Sequence, residues 1–230
     1  NYMLFSCSNH TYAAIIGDIK DSRKLDTGKQ IQKNLNHILN QLNTEYSFDI
    51  SAKFTITLGD EFQGLLHNCT NLLHIIETIQ REMYPVKLRF GIGVGEITTD
   101  INPELAIGAD GPSYYYARKA IHELRNNEKK NKMPSADIRI STANPEHPLT
   151  SMFNTTLSLL TVIRANWTKR QREIIWEYDK FGGSQEDCAS RLHISQSSVQ
   201  RALMNGNYYS YKSAMNNLNN ILKEIGELHV

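Results

Sequence analysis

The chain has 230 residues, 40 % of them apolar and 21 % charged, an ordinary globular balance that excludes wholesale disorder. Lys and Arg number 25 against 24 Asp and Glu, and the net charge of +1 excludes a protein held to nucleic acid by bulk charge alone. Three cysteines (Cys7, Cys69 and Cys188) are too few and too scattered for a disulfide framework or a zinc cluster, which points to the reducing cytoplasm. No apolar run nears the ~20 residues of a membrane span, and no basic stretch leads into a secretory signal, so no membrane partner is expected.

Residues 12–17 form a short apolar run ending at Asp18, as a buried central strand does. Between Thr27 and Tyr46, Ile31, Leu35, Ile38, Leu39 and Leu42 recur on one helical face. Residues 50–58 alternate strictly and predict a half-buried strand. Gly59-Asp60 reads as a tight hairpin turn returning through residues 61–66. Residues 71–83 predict a helix capped by Thr70, and residues 86–96 another alternating strand. Pro112 opens a helix to about Asn126, and Ala136 to Ser141 make a last strand. The order β-α-β-β-α-β-α-β contains the split βαβ, ferredoxin-like arrangement. A breaker cluster at Asn144-Pro145-Glu146-His147-Pro148 separates a domain over 11–143 from an all-helical one over 151–230.

Two carboxylates stand out. Asp18 ends a buried strand and Asp60 sits in a hairpin turn, and neighbouring strands bring both toward one cleft. Such a pair suits Mg²⁺, which takes one or two carboxylates and fills its shell with phosphate oxygens and water. Each residue also has a plainer reading, a strand-end cap or a turn former.

Leu58-Gly59-Asp60-Glu61-Phe62 resembles the signature hairpin of GGDEF diguanylate cyclases, with Leu in place of the first Gly. Asp18-Ile19 resembles the first metal motif of those enzymes and of class III nucleotidyl cyclases. Residues 89–96 resemble the Gly-rich strand of the class III enzymes. The chain over 12–225 most resembles the SatD family, through residues 17–23, residues 59–64, Asp110-Gly111-Pro112 and Ala117-Arg118. This resemblance implies an α+β fold, a ferredoxin-like palm of the cyclase kind followed by helices. It implies Asp18, Asp60 and Glu61 as metal ligands with the Ile19 carbonyl beside them, and Lys20 to Arg23 near a triphosphate. Asp18, Asp60 and Arg118 would be the catalytic set. The cyclase Asn position holds Tyr114, which lacks the amide contacts.

Other residues near this cleft carry two readings each. Gly91, Gly93 and Gly95 either seat a helix or admit a base or ribose. Asp110 either meets a nucleotide or turns the chain into a helix. Lys129, Lys130 and Lys132 are a solvated run or a phosphate site, with Lys130 the phosphate candidate.

The C-terminal region holds a helix-turn-helix pattern over about 184–204. Thr168 caps a first helix closed by Gly182-Gly183, and Ser184 with Asp187 caps a second. Ser195 opens a third, with Ala189, Ile194 and Val199 at the three locking points. Gln196, Ser197, Ser198, Gln200 and Arg201 face outward, short donors suited to the edges of double-stranded DNA. The segment resembles the helix-turn-helix of sigma-factor region 4. Residues 151–230 carry nine Lys and Arg against seven Asp and Glu, a net +2. So small a surplus calls for a homodimer or a partner. Tyr211, Met215, Leu218, Leu222 and Ile225 form a core or dimer stripe.

The expected function is a nucleotide-binding regulator that uses Mg²⁺ or Mn²⁺ with a nucleoside triphosphate and joins a palm to a DNA reader. The alternatives are an active nucleotidyl cyclase or oligonucleotide synthetase releasing pyrophosphate, and a scaffold in which neither site works.

Overall fold

The computed structural model describes residues 11–21, 28–57, 59–130 and 136–227. The α+β part contains β1 (Thr11–Ile19), α1 (Gly28–Glu45), β2 (Ile50–Ile56), β3 (Glu61–Leu66), α2 (Leu72–Glu82), β4 (Leu88–Glu96), α3 (Pro112–Lys130) and β5 (Ile138–Ser141). Helices α4 (Pro148–Ala165), α5 (Lys169–Phe181), α6 (Gln185–Leu192), α7 (Gln196–Asn205) and α8 (Tyr208–Glu227) follow. The described residues fall into two compact units. One ends at Ser158 and resumes at Leu218; the other is Leu159–Asn217.

The first unit is built on one five-stranded mixed sheet in the order β2-β3-β1-β4-β5. The first three pairings are antiparallel and β4–β5 is parallel. Strand β1 is central because both its faces are apolar: Ala13 through Ile16 are each 1 % exposed or less. The β2–β3 hairpin closes where Thr57 N–H donates to the Glu61 carbonyl (2.8 Å) and Gly59 adopts φ +62, which an L side chain resists. The strand expected through residue 58 thus stops at Ile56; Leu58 lies outside the described residues. Helix α2 begins at Leu72 with Asn71 as its N-cap residue, not Thr70, and no side chain caps it.

The glycines of β4 decide how α3 lies. A Cβ on Gly93 would sit 1.9 Å from the Ser113 carbonyl oxygen and 2.4 Å from the Ala117 nitrogen. One on Gly91 would sit 2.3 Å from the Ala117 oxygen. The helix backbone therefore rests directly on the strand. Ser113, buried under it, accepts from Ala14 N–H (2.9 Å) and lies 2.9 Å from the Gly93 carbonyl, to which its hydroxyl can donate. Ala14, Ile16, Ala52 and Leu65 of the sheet complete this layer with Tyr114, Ala117 and Ile121. On the other face, Phe62 packs edge-to-face on Phe90 and fills the space a Gly17 side chain would need. Asn43 of α1 ties that helix to β2 by bonding both the N–H and the carbonyl of Phe54.

The second unit is a helical cluster around Ile174, Ile175, Cys188, Val199, Leu203, Tyr208 and Tyr211. Trp167 anchors it by donating from Nε1 to the Gly206 carbonyl (2.7 Å). Thr168 caps α5 as expected and forms a capping box with Gln171, and Ser184 forms one with Asp187.

Replacing Gly93 with Ala sets a methyl against helix backbone that cannot rotate away. We expect a loss of about 1–3 kcal/mol or more, read by urea unfolding, with Gly59→Ala costing less because its surroundings are open.

Candidate functional site

Asp18 lies at the end of β1, opposite Glu61 on β3 and Arg89 on β4. The hairpin turn is adjacent: Ile19 N–H donates to the Asp60 carbonyl (3.1 Å). Asp18, Asp60 and Glu61 therefore meet at one end of the sheet. Asp18 is only 2 % exposed, and its carboxylate is held by two arginines. Arg89 Nη1 donates to Oδ1 and Oδ2 (3.2 Å each). Arg125, on the last third of α3, donates from Nε (2.8 Å) and Nη2 (2.5 Å) to Oδ2. Arg125 also lies 3.6 Å from Glu61. Arg89 in turn bonds Glu128, and Lys20 bridges Glu128 and Asp137 at 2.7 Å each. Burial works against the Arg89 charge, but the bonds from Glu128 and the charge of Asp18 raise its pKa overall.

Other residues singled out from the sequence fall elsewhere. Arg118 is exposed on α3, within electrostatic range of Glu61. Lys20 is committed inside the protein, its ammonium to two carboxylates and its N–H to the Lys87 carbonyl (2.8 Å). Gly91 and Gly93 face α3, which corrects the expectation of a base or ribose against them. Asp110 belongs to the opposite end of the sheet. Its carbonyl accepts from Thr98 N–H (2.9 Å), just beyond β4, and Arg89 lies at the start of that strand. The separation from Asp18 is on the order of 20 Å. Asp110 is thus a turn residue; its carboxylate accepts from Gly111 N–H (2.9 Å). Lys129 and Lys130 are exposed in the last turn of α3, where cations complement the helix dipole. Arg23 and Lys132 lie outside the described residues. Tyr114, on the sheet side of α3, is fully buried, and among the described residues its hydroxyl has no hydrogen-bond partner.

In the second unit, α6 and α7 are joined by three residues. His193 adopts φ +52, Ile194 N–H donates to the Ala189 carbonyl (3.0 Å), and Ser195 caps α7 by accepting from Ser198 N–H. Val199, Ala202 and Leu203 are buried, while Ser197, Gln200 and Arg201 are exposed. Gln196 and Ser198 are half-buried. Gln196 donates to Gln185 Oε1 (2.6 Å), tying α7 to α6, and the Ser198 hydroxyl lies 2.8 Å from that of Ser195.

The SatD family profile matches residues 12–222. The chain belongs to the SatD family. No curated protein matches it. Among solved structures, it is similar to the dimeric guanylyl cyclase domain of the RhoGC fusion protein from Blastocladiella emersonii, at 14 % identity over 57 % of this chain and 79 % of that one, with a TM-score of 0.39. It is also similar to the guanylate cyclase domain of RhGC from Catenaria anguillulae, solved with GTP, at 15 % identity over 59 % and 80 % and a TM-score of 0.39. A regulator of polyketide synthase expression from Bifidobacterium adolescentis matches at 12 % identity over 95 % and 81 %, with a TM-score of 0.30. These likenesses are too remote to carry an activity across.

The oxygen-rich set at Asp18 has the right chemistry for Mg²⁺ but not the right arrangement in this SatD protein. Two guanidiniums stand on the Asp18 carboxylate, with three contacts on Oδ2 and one on Oδ1, so a cation there would have to displace them. Among the described residues, no three His, Cys, Asp or Glu side chains are placed to hold a metal ion. With Asp18 paired to two guanidiniums, the residues as arranged do not fit the ion.

Glu61 is the strained member. Burial raises its carboxyl above the ordinary value; Arg125 and Arg118 oppose the rise, and Asp18 and Asp60 add to it. The folded state thus holds this proton more tightly than the unfolded state does. As pH climbs from the ordinary value of 4.5 through the raised one, the unfolded chain releases its proton first and stability falls. Glu61→Gln removes that loss. The variant is expected to melt at a higher temperature than the parent at neutral pH, with the gap closing toward about pH 4. A gap independent of pH contradicts this assignment.

Proposed function

We propose that this SatD-family protein is a DNA-binding regulator whose α+β unit takes a nucleotide as its signal. The exposed row on α7 supports the DNA half most directly. Ser197, Gln200 and Arg201 point away from a helix whose other face is locked by Val199, Ala202 and Leu203. A capped helix following a three-residue turn, with short polar donors near its N-terminus, is the shape that enters a major groove. Arg201 has the fork that takes guanine O6 and N7 together. The nucleotide half is supported by the motif resemblance around Asp18 and Asp60 and by Arg118, exposed on α3. Mg²⁺ is not part of this reading. The low surplus of positive charge favours a homodimer on two half-sites over a single copy. A nucleotide changes DNA affinity only to the extent that it prefers one state of the protein.

The test is selection of bound duplexes from a random pool, followed by anisotropy titration at fixed salt. A defined sequence is expected to emerge, and Arg201→Ala to weaken its binding about ten- to hundredfold. Enrichment of no sequence, or equal affinity in the variant, removes the DNA reading. Calorimetry with ATP and GTP tests the other half, and no heat with either removes it.

A further inference from the structure

The charged side chains at the Asp18 end of the sheet form a continuous alternating chain. Asp137 and Glu128 hold Lys20, Glu128 holds Arg89, Arg89 holds Asp18, and Asp18 holds Arg125, which reaches Glu61. The chain ties three strands and a helix: β1, β3, β4 and α3 each contribute a member. Its most buried member is Asp18, whose side chain is 3 % exposed.

A carboxylate offers about four lone-pair positions. Four contacts from Arg89 and Arg125 reach the Asp18 carboxylate, three of them on Oδ2, which they saturate, and one on Oδ1. Mg²⁺ needs the same lone pairs at about 2.0–2.1 Å in near-octahedral order. An arginine donor and a metal ion cannot share one oxygen direction. Charge at Asp18 itself points the same way: two guanidiniums already stand against this one buried carboxylate.

We infer that Asp18 is the central anion of a metal-independent ion-pair chain, with Arg89 and Arg125 standing as its counter-charge where the motif resemblance implies a divalent cation. In this chain the aspartate fastens the end of α3 to the sheet and is not a metal ligand. Arg125 is a positioning residue within that chain. The inference holds whether or not the protein binds DNA or a nucleotide.

Thermal unfolding of the full chain with EDTA, with millimolar Mg²⁺ and with millimolar Mn²⁺ tests it, beside a calorimetric titration with each metal alone. The melting temperature of the parent is expected to be the same in all three, with no saturable heat. Asp18→Asn is expected to melt several degrees lower in each. Arg125→Gln, at a side chain 43 % exposed, serves if the first variant does not fold, and is also expected to melt lower. A rise in melting temperature with Mg²⁺ or Mn²⁺ that Asp18→Asn abolishes overturns the inference, as does saturable metal binding by the parent. Unchanged melting of whichever variant folds overturns it too.

Discussion

A buried carboxylate needs a counter-charge, and the α+β unit is arranged to supply one at Asp18. Taking an ionised side chain out of water costs several kcal/mol unless close partners and hydrogen bonds replace the solvent. Arg89 comes from the adjacent strand, directly across the ladder. Arg125 comes from α3 and reaches Asp18 only because that helix lies on the sheet without an intervening layer of side chains. Gly91 and Gly93 make that contact possible. Backbone choice on β4 and charge pairing at the end of β1 are thus one constraint seen from two sides. Such a pair is poor evidence of net stabilisation against an apolar replacement, but breaking it from one side leaves a charge stranded.

The sequence reveals the strands and their order well. Alternation at residues 50–58 and 86–96 and the apolar run at 12–17 are short-range patterns that burial imposes directly. The ordered sheet β2-β3-β1-β4 follows from the βαββαβ element order together with the need for right-handed crossovers. Helix ends are less legible. The expected end of α3 near Asn126 falls a turn short of Lys130, and that turn carries Glu128, the partner of Arg89 and Lys20. Helix α4 has apolar residues on more than one side, with Met152 and Leu159 exposed, which blurs a single helical stripe.

The candidate site was half legible. Strand and turn patterning led to Asp18 and Asp60 and motif resemblance added Glu61, and the hairpin brings its two carboxylates to the Asp18 end of β1. Neither patterning nor resemblance gave a sign of Arg125, which lies 107 residues from Asp18, because nothing local distinguishes an arginine that crosses to a sheet from one in solvent. The signal available was spacing on the helix. Arg118 and Arg125 are seven residues apart, hence on one face, and the glycine stripe fixes which face meets β4. The helical unit was more legible, because Thr168, Ser184 and Ser195 are caps whose chemistry is local. His193, where glycine is commoner, takes the left-handed conformation all the same.

Asp18 and Arg89 depend on each other. A double-mutant cycle in urea, using Asp18→Asn, Arg89→Gln and the pair, measures that dependence directly. A coupling of about 2 kcal/mol or more is expected, with the double variant losing far less than the two single losses combined. Losses that add within about 0.5 kcal/mol would contradict it.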